Sequence, residues 1–206
     1  MKTILFTGDS ITDFGRSRED NGNLGHGYAT LVTGTLGFEN PNQYQMFNRG
    51  ISGNRIVDLY ARVKVDCINL KPDIMSILIG VNDVWHEFGN KNGVDAEKFF
   101  KVYSMMIEEI KEALPDIKIM IMEPFVLKGP ATEAHWDEFY AEVLLRAKKV
   151  KEIAEKYDLV FVPLQEKFDE AAKHASNTFW LADGVHPTTA GHELIKRAWL
   201  EGFAQM

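Results

Sequence analysis

A single cysteine, Cys67, stands in a chain of 206 residues, so no internal disulfide can form and no cysteine-rich zinc site can be assembled. It falls between Asp66 and Ile68 and is expected as a small, buried apolar residue. Basic charge is in deficit too: 23 lysines and arginines against 30 aspartates and glutamates leave a net charge of −7. The basic residues are scattered, which disfavours nucleic acid as a partner and favours a neutral or cationic substrate. No apolar run reaches the length that crosses a bilayer, so no membrane partner is expected. The first strand begins within a few residues of Met1, leaving no charged n-region, apolar core or cleavage site; the expected location is cytoplasmic. His26, His86, His135, His174 and His192 lack paired ligand spacing and are read as surface or satisfied histidines, so neither metal nor cofactor is expected. The Gly-x-Ser-x-Gly elbow of another large hydrolase class is absent.

What is present is an ordinary globular composition, 45% hydrophobic and 26% charged, read as one domain over residues 1–206. Its organising stretch is Thr7-Gly8-Asp9-Ser10-Ile11-Thr12-Asp13, reached from the apolar run Ile4-Leu5-Phe6. A β-branched and aromatic run closed by glycine predicts a buried strand ending in a tight turn, with Ser10 at its carboxyl end. Far downstream, Ala182-Asp183-Gly184-Val185-His186-Pro187 offers a carboxylate and an imidazole three residues apart. A serine becomes a nucleophile when a histidine takes its proton and a third group orients that histidine. Ser10, His186 and Asp183 have the residue types for those roles.

In chain order, a polar, glycine-rich loop over the site is expected from Arg16 to Gly27, then a helix from Tyr28 to Leu36 ended by Gly37. A second strand is expected at Tyr44–Asn48, leading into Arg49-Gly50-Ile51-Ser52-Gly53-Asn54, where bare amides invite an anion. Ile56, Leu59, Tyr60, Val63 and Cys67 predict one helix, and residues 73–79 a buried strand ending in Gly80-Val81-Asn82-Asp83. Further helices follow from Phe99 to Leu114 and from His135 to Tyr157, strands at 117–122 and 159–162, and a terminal helix through Leu194 and Trp199. The alternation predicts a three-layer α/β/α sandwich around a five-stranded parallel sheet. Ser10, Gly53, Asn82 and Asp183 with His186 then gather on one edge, supplying nucleophile, backbone donor, side-chain amide donor, and base with its orienting acid.

Gly8-Asp9-Ser10, Gly53 within Ile-Ser-Gly-Asn, Asn82 within Gly-Val-Asn-Asp, and Asp183-Gly-Val-His186-Pro appear in one order across nearly the whole chain. In these motifs the sequence resembles the SGNH hydrolases, also called the GDSL esterase and lipase family. Ile11 stands where the family's short name has leucine, a change that leaves the chemistry untouched. The fuller runs look most like the branch holding intracellular acetylxylan esterases. The resemblance implies a flavodoxin-like fold, attack by Ser10 on an ester carbonyl, and an oxyanion hole of the Ser10 and Gly53 N–H groups and the Asn82 amide. It also implies a small acetylated carbohydrate as substrate; homo-oligomerisation is left open.

Asp9 orients the Ser10 turn and, as its neighbour, is taken to line the substrate site, while Asp83 is read as a helix cap. Trp85 and Trp180 flank the motifs, as walls of an acyl pocket or stacking faces for a sugar, or else as core tryptophans.

Overall fold

A computed structural model describes residues 1–206. Strand β1 spans Lys2–Gly8, helix α1 Ser10–Asp13, α2 Tyr28–Glu39, β2 Tyr44–Asn48, α3 Ile56–Ala61 and α4 Val63–Asp66. Then come β3 (Ile74–Leu78), α5 (Val81–Asn90), α6 (Ala96–Ala113), β4 (Lys118–Met122), α7 (Trp136–Tyr157), β5 (Val160–Val162), α8 (Gln165–Ala171), α9 (Asn177–Trp180) and α10 (Thr189–Phe203). All five strands pair in parallel in the order β2-β1-β3-β4-β5.

Successive strand side chains point to opposite faces, so the continuous apolar runs feed two cores. Ile4, Phe6, Ile74, Leu78, Met120 and Met122 enter one, with α2, α8 and α10. Leu5, Met75, Ile77, Ile119 and Ile121 enter the other, with α3 and α6, and the long α7 contributes to both. Cys67 is buried in the second core, where desolvation pushes its thiol up to about 12.

Two expected helix ends are corrected. Helix α2 runs past Gly37 to Glu39, capped by Asn40, because Gly37 keeps a helical backbone and a side chain there would meet only open space. A solvent-facing glycine costs a helix about 1 kcal/mol against alanine, which is too little to stop it. The helix expected from Ile56 to Cys67 is broken at Arg62, whose backbone leaves the helical region at φ −115° and ψ 6°. The Arg62 guanidinium donates to Asn54 Oδ1 at 2.7 Å, the Arg49 carbonyl at 2.8 Å, the Gly8 carbonyl at 3.1 Å and Asp66 at 2.8 Å. Helices α1, α5, α8 and α9 are additional. For α5, Val81, Val84, Trp85 and Phe88 carried the helical spacing, hidden behind a glycine strand end.

The sheet's carboxyl edge collects the segments after β1, β2, β3 and β5. The chain winds away from β1 in both directions there, where open parallel sheets leave a crevice for ligands.

Candidate active site

Ser10 opens α1 directly behind β1. Gly8 takes φ +156°, and a Cβ on it would lie 2.2 Å from the Leu78 carbonyl, so only glycine fits that turn. Asp9 caps α1 by accepting the Ile11 N–H at 3.0 Å. This side chain is 1% exposed, which corrects its expected place in the substrate site. Its carboxylate is spent on the α1 cap, away from solvent, and burial raises its carboxyl to about 7.

The downstream loop arranges itself. Leu181 and Pro187 form an antiparallel bridge, and the Ala182 N–H donates to the His186 carbonyl at 2.8 Å. Within this hairpin Asp183 Oδ1 accepts the N–H groups of Val185 and His186 at 2.9 and 2.8 Å, and Asp183 Oδ2 faces His186 Nδ1 at 2.7 Å. Gly184 sits at φ +100° against the Leu127 carbonyl, too close for any Cβ. From behind, the Ala131 N–H donates to the Asp183 carbonyl at 2.9 Å, and the Leu127 N–H to that of Gly184 at 2.9 Å.

The two pieces meet where His186 Nε2 stands 2.9 Å from Ser10 Oγ. Asp183 accepts a hydrogen bond from Nδ1–H, which assigns the imidazole tautomer and leaves the Nε2 lone pair facing the serine hydroxyl. Burial would raise Asp183, but hydrogen bonds from the His186 ring and from the His186 and Val185 backbone outweigh it and hold the carboxyl at about 2. The bond to Asp183 in turn lifts His186 above its ordinary 6.5.

Three N–H donors come from the segments that follow β1, β2 and β3. The Ser10 and Gly53 N–H groups donate to no protein acceptor. Asn82, in the first turn of α5, gives one amide N–H to the Asn54 carbonyl at 3.1 Å and keeps the other free. Gly53 turns the backbone sharply at φ +81°, a conformation that favours glycine, and a Cβ there would meet no protein atom within 4 Å.

Sequence reading missed the groups that hold the Gly53 loop. Asp13 Oδ2 accepts from Ser52 N at 3.0 Å, Ser52 Oγ at 2.9 Å and Arg18 Nη2 at 2.7 Å. Burial opposes the charge on Asp13, yet these donors keep its carboxyl below the usual range. Asn54 is clamped between Asn82 and Arg62. The signal for Asp13 was its place three residues after Ser10, one helical turn on. The segment from Arg16 packs beside the Gly53 loop, with Arg16 and Arg18 both donating to the Gly50 carbonyl.

Asp83 is a cap, but of another helix: both carboxylate oxygens accept the Ile56 N–H at the start of α3, and burial lifts its carboxyl well above the usual range. The Trp85 ring lies 5.7 Å from that of His186 and edge-on to Phe139. Trp180 packs on Phe179 and against the first core. A cavity of about 510 Å³ between α7, β5 and α8 contains none of these site residues.

The arrangement is that of a carboxylic ester hydrolase. The chain belongs to the GDSL-like Lipase/Acylhydrolase family, whose model matches residues 6–194. It is 36% identical to an acetylxylan esterase of Geobacillus stearothermophilus over 204 residues, covering 96% of this chain and 91% of that one. The solved structure of that organism's acetylxylan esterase Axe2 superposes with a TM-score of 0.88 over 98% of this chain and 93% of that one, at 35% identity. A GDSL-like protein from Parabacteroides merdae superposes at 0.92, with 37% identity over 100% and 96% of the two chains. LAE5, an alpha/beta hydrolase enzyme from the metagenome of Lake Arreo, gives 0.89 at 27% identity over 98% and 95%. No helix is long and apolar enough to cross a membrane.

Proposed function

We propose that this esterase removes acetyl groups from small acetylated sugars, xylo-oligosaccharides foremost, through an acyl-enzyme on Ser10. The observation that carries the reading is the unbroken line from Ser10 Oγ through His186 to Asp183. His186 Nε2 takes the hydroxyl proton as the serine oxygen bonds to the ester carbonyl carbon, and Asp183 stabilises the imidazolium so formed. The carbonyl oxygen becomes an oxyanion that accepts from Ser10 N, Gly53 N and the free Asn82 N–H, each such donor contributing about 3 kcal/mol in comparable sites. Collapse breaks the bond to the sugar oxygen, which leaves with the proton from His186. Water then gives its proton to the same imidazole, attacks the acetyl carbon and releases acetate and free serine.

The acetyl and sugar assignment draws on the acetylxylan esterase relative of similar length. A broader short-chain esterase, a lipase or a thioesterase would share the same line of groups and differ in acyl length. The test is release of acetate from fully acetylated xylose and from acetylated xylobiose, with Ser10→Ala as control and a serine-directed phosphonate to tag Ser10 by mass. Full turnover by Ser10→Ala removes the nucleophile assignment. Equal activity on acetylated glucosamine removes the ester preference.

A further inference from the structure

Four arginines converge on the Gly53 loop of a protein whose net charge is −7. Arg16 Nε and Arg18 Nη1 donate to one acceptor, the Gly50 carbonyl, at 2.7 and 3.0 Å. Arg49 follows β2 with its guanidinium 5.5 Å from the centre of the Phe47 ring, and Arg62 reaches the Arg49 carbonyl. Only two carboxylates answer them: Asp13 pairs with Arg18, and Asp66 with Arg62. Arg16 and Arg49 have no acidic partner. Burial and the neighbouring Arg18 and Arg49 charges lower Arg16 to about 10.

The crowding is local to the site. Arg18 and Ser52 share one oxygen of Asp13, and Ser52 adjoins Gly53. The Arg18 side chain is 49% exposed, and Arg16 and Arg49 are partly exposed. Several guanidinium N–H groups remain unused, including both on Arg16 Nη2 and the Arg18 Nε–H. Guanidinium forks with spare donors match the planar oxygens of carboxylate and phosphate, which would also relieve the mutual repulsion. Total charge, which favours neutral or cationic substrates, does not describe this rim.

We propose that Arg16, Arg18 and Arg49 form an anion subsite beside the Gly53 loop, taking an oxyanion borne by the sugar while its acetyl ester lies at Ser10. The inference rests on the sugar-ester reading and refines it: the substrate carries a uronate carboxylate or a phosphate near the acetylated position.

The test compares kcat/KM for acetylated xylotriose with and without a glucuronic acid branch, and for acetylated glucose 6-phosphate against acetylated glucose. At low ionic strength one anionic member should exceed its neutral counterpart by about fivefold, and the advantage should vanish in about 0.5 M sodium chloride. The preferred member tells carboxylate from phosphate. Arg49→Gln should at least halve that ratio, whatever it does to each rate, and the salt dependence of the parent protein decides the matter if the variant does not fold. Equal handling of both pairs by the parent, or a ratio untouched in a folded Arg49→Gln, overturns the subsite. Calorimetric binding of unacetylated glucuronoxylotriose and glucose 6-phosphate against their neutral partners reads the subsite without turnover. Failure to hydrolyse any acetate ester therefore strikes the proposed function, whereas equal binding within both pairs strikes the subsite.

Discussion

Ser52 donates both its N–H and its hydroxyl to one oxygen of Asp13, three residues along the chain from Ser10. The nucleophile's turn and the loop carrying Gly53 are thereby held in register by a single carboxylate. Asp13→Ala removes three hydrogen bonds at once and leaves Arg18 with only its bond to the Gly50 carbonyl. On the proposed mechanism this contact positions an oxyanion donor instead of touching substrate, so kcat should fall by about tenfold or more with little change in KM. Steady-state kinetics on a chromogenic acetate ester checks this; a rise in KM alone would assign Asp13 to binding.

Gly53 presents a sharper case. A Cβ would meet no neighbour, so any cost of Gly53→Ala comes from its φ of +81°, roughly 1–2 kcal/mol of backbone strain for an L-residue. Relieving that strain by rotating the peptide would turn the Gly53 N–H away from the proposed oxyanion. Turnover should drop by about 100-fold while thermal unfolding shifts by only a few degrees. An alanine variant as active as the parent would mean that the oxyanion does not use this N–H.

Asp183 fixes the sign of the pH response. Its hydrogen bond raises His186 above 6.5, and only the neutral imidazole can take the serine proton, so kcat/KM should climb as pH rises through the lifted value. Asp183→Asn removes the main cause of the lift. The acid limb should therefore move to lower pH, while the plateau falls by roughly 100-fold or more through loss of tautomer control and charge stabilisation. An unmoved limb in the pH profile would separate His186 from the rate.

These site motifs were legible in sequence because each is local. Gly8-Asp9-Ser10 is a strand–turn signal, and Asp183 and His186 lie within one hairpin that closes on itself. The strands were legible as apolar runs buried on both faces. What escaped was long-range: Arg62 breaks a helix to bind Gly8 and Asn54, and Asp83 caps a helix 27 residues upstream. Such contacts leave no periodicity. Asp9 was misplaced for the same reason, since adjacency to Ser10 in sequence does not reveal which side of the turn faces solvent.

Burial of Asp9 carries a cost that depends on pH. Its folded-state value of about 7 lies above the ordinary 3.8, so its contribution to stability is complete below pH 3.8 and is lost as pH rises through 7. Asn keeps the cap of α1 without the charge. At pH 8 Asp9→Asn should raise Tm by on the order of 5 °C, and at pH 4 it should give no gain. His192 titrates in the opposite sense, lowered by burial to about 3, and destabilises parent and variant alike as pH falls below 6.5. Scanning calorimetry at both pH values checks the difference, and a gain at pH 4 equal to that at pH 8 would show that the ionised carboxylate is not the cause.

Trp85 sets the last expectation, the length of the acyl chain. It projects from the first turns of α5, one turn beyond Asn82, and packs edge-on to Phe139 while its ring stands 5.7 Å from His186. A rigid aromatic wall beside the reacting imidazole should restrict the acyl group to two or three carbons and deny burial to a longer one. In an open apolar pocket each added methylene would contribute about 0.8 kcal/mol to binding, so longer esters would be favoured. Activity on nitrophenyl esters should accordingly fall steeply from acetate to butyrate to octanoate. Trp85→Ala should flatten the series by raising butyrate and octanoate relative to acetate, with circular dichroism confirming that loss of the Phe139 contact has not unfolded the chain. A parent protein that prefers octanoate would move the reading to a lipase or thioesterase. A folded Trp85→Ala with the parent's profile would place the acyl wall elsewhere.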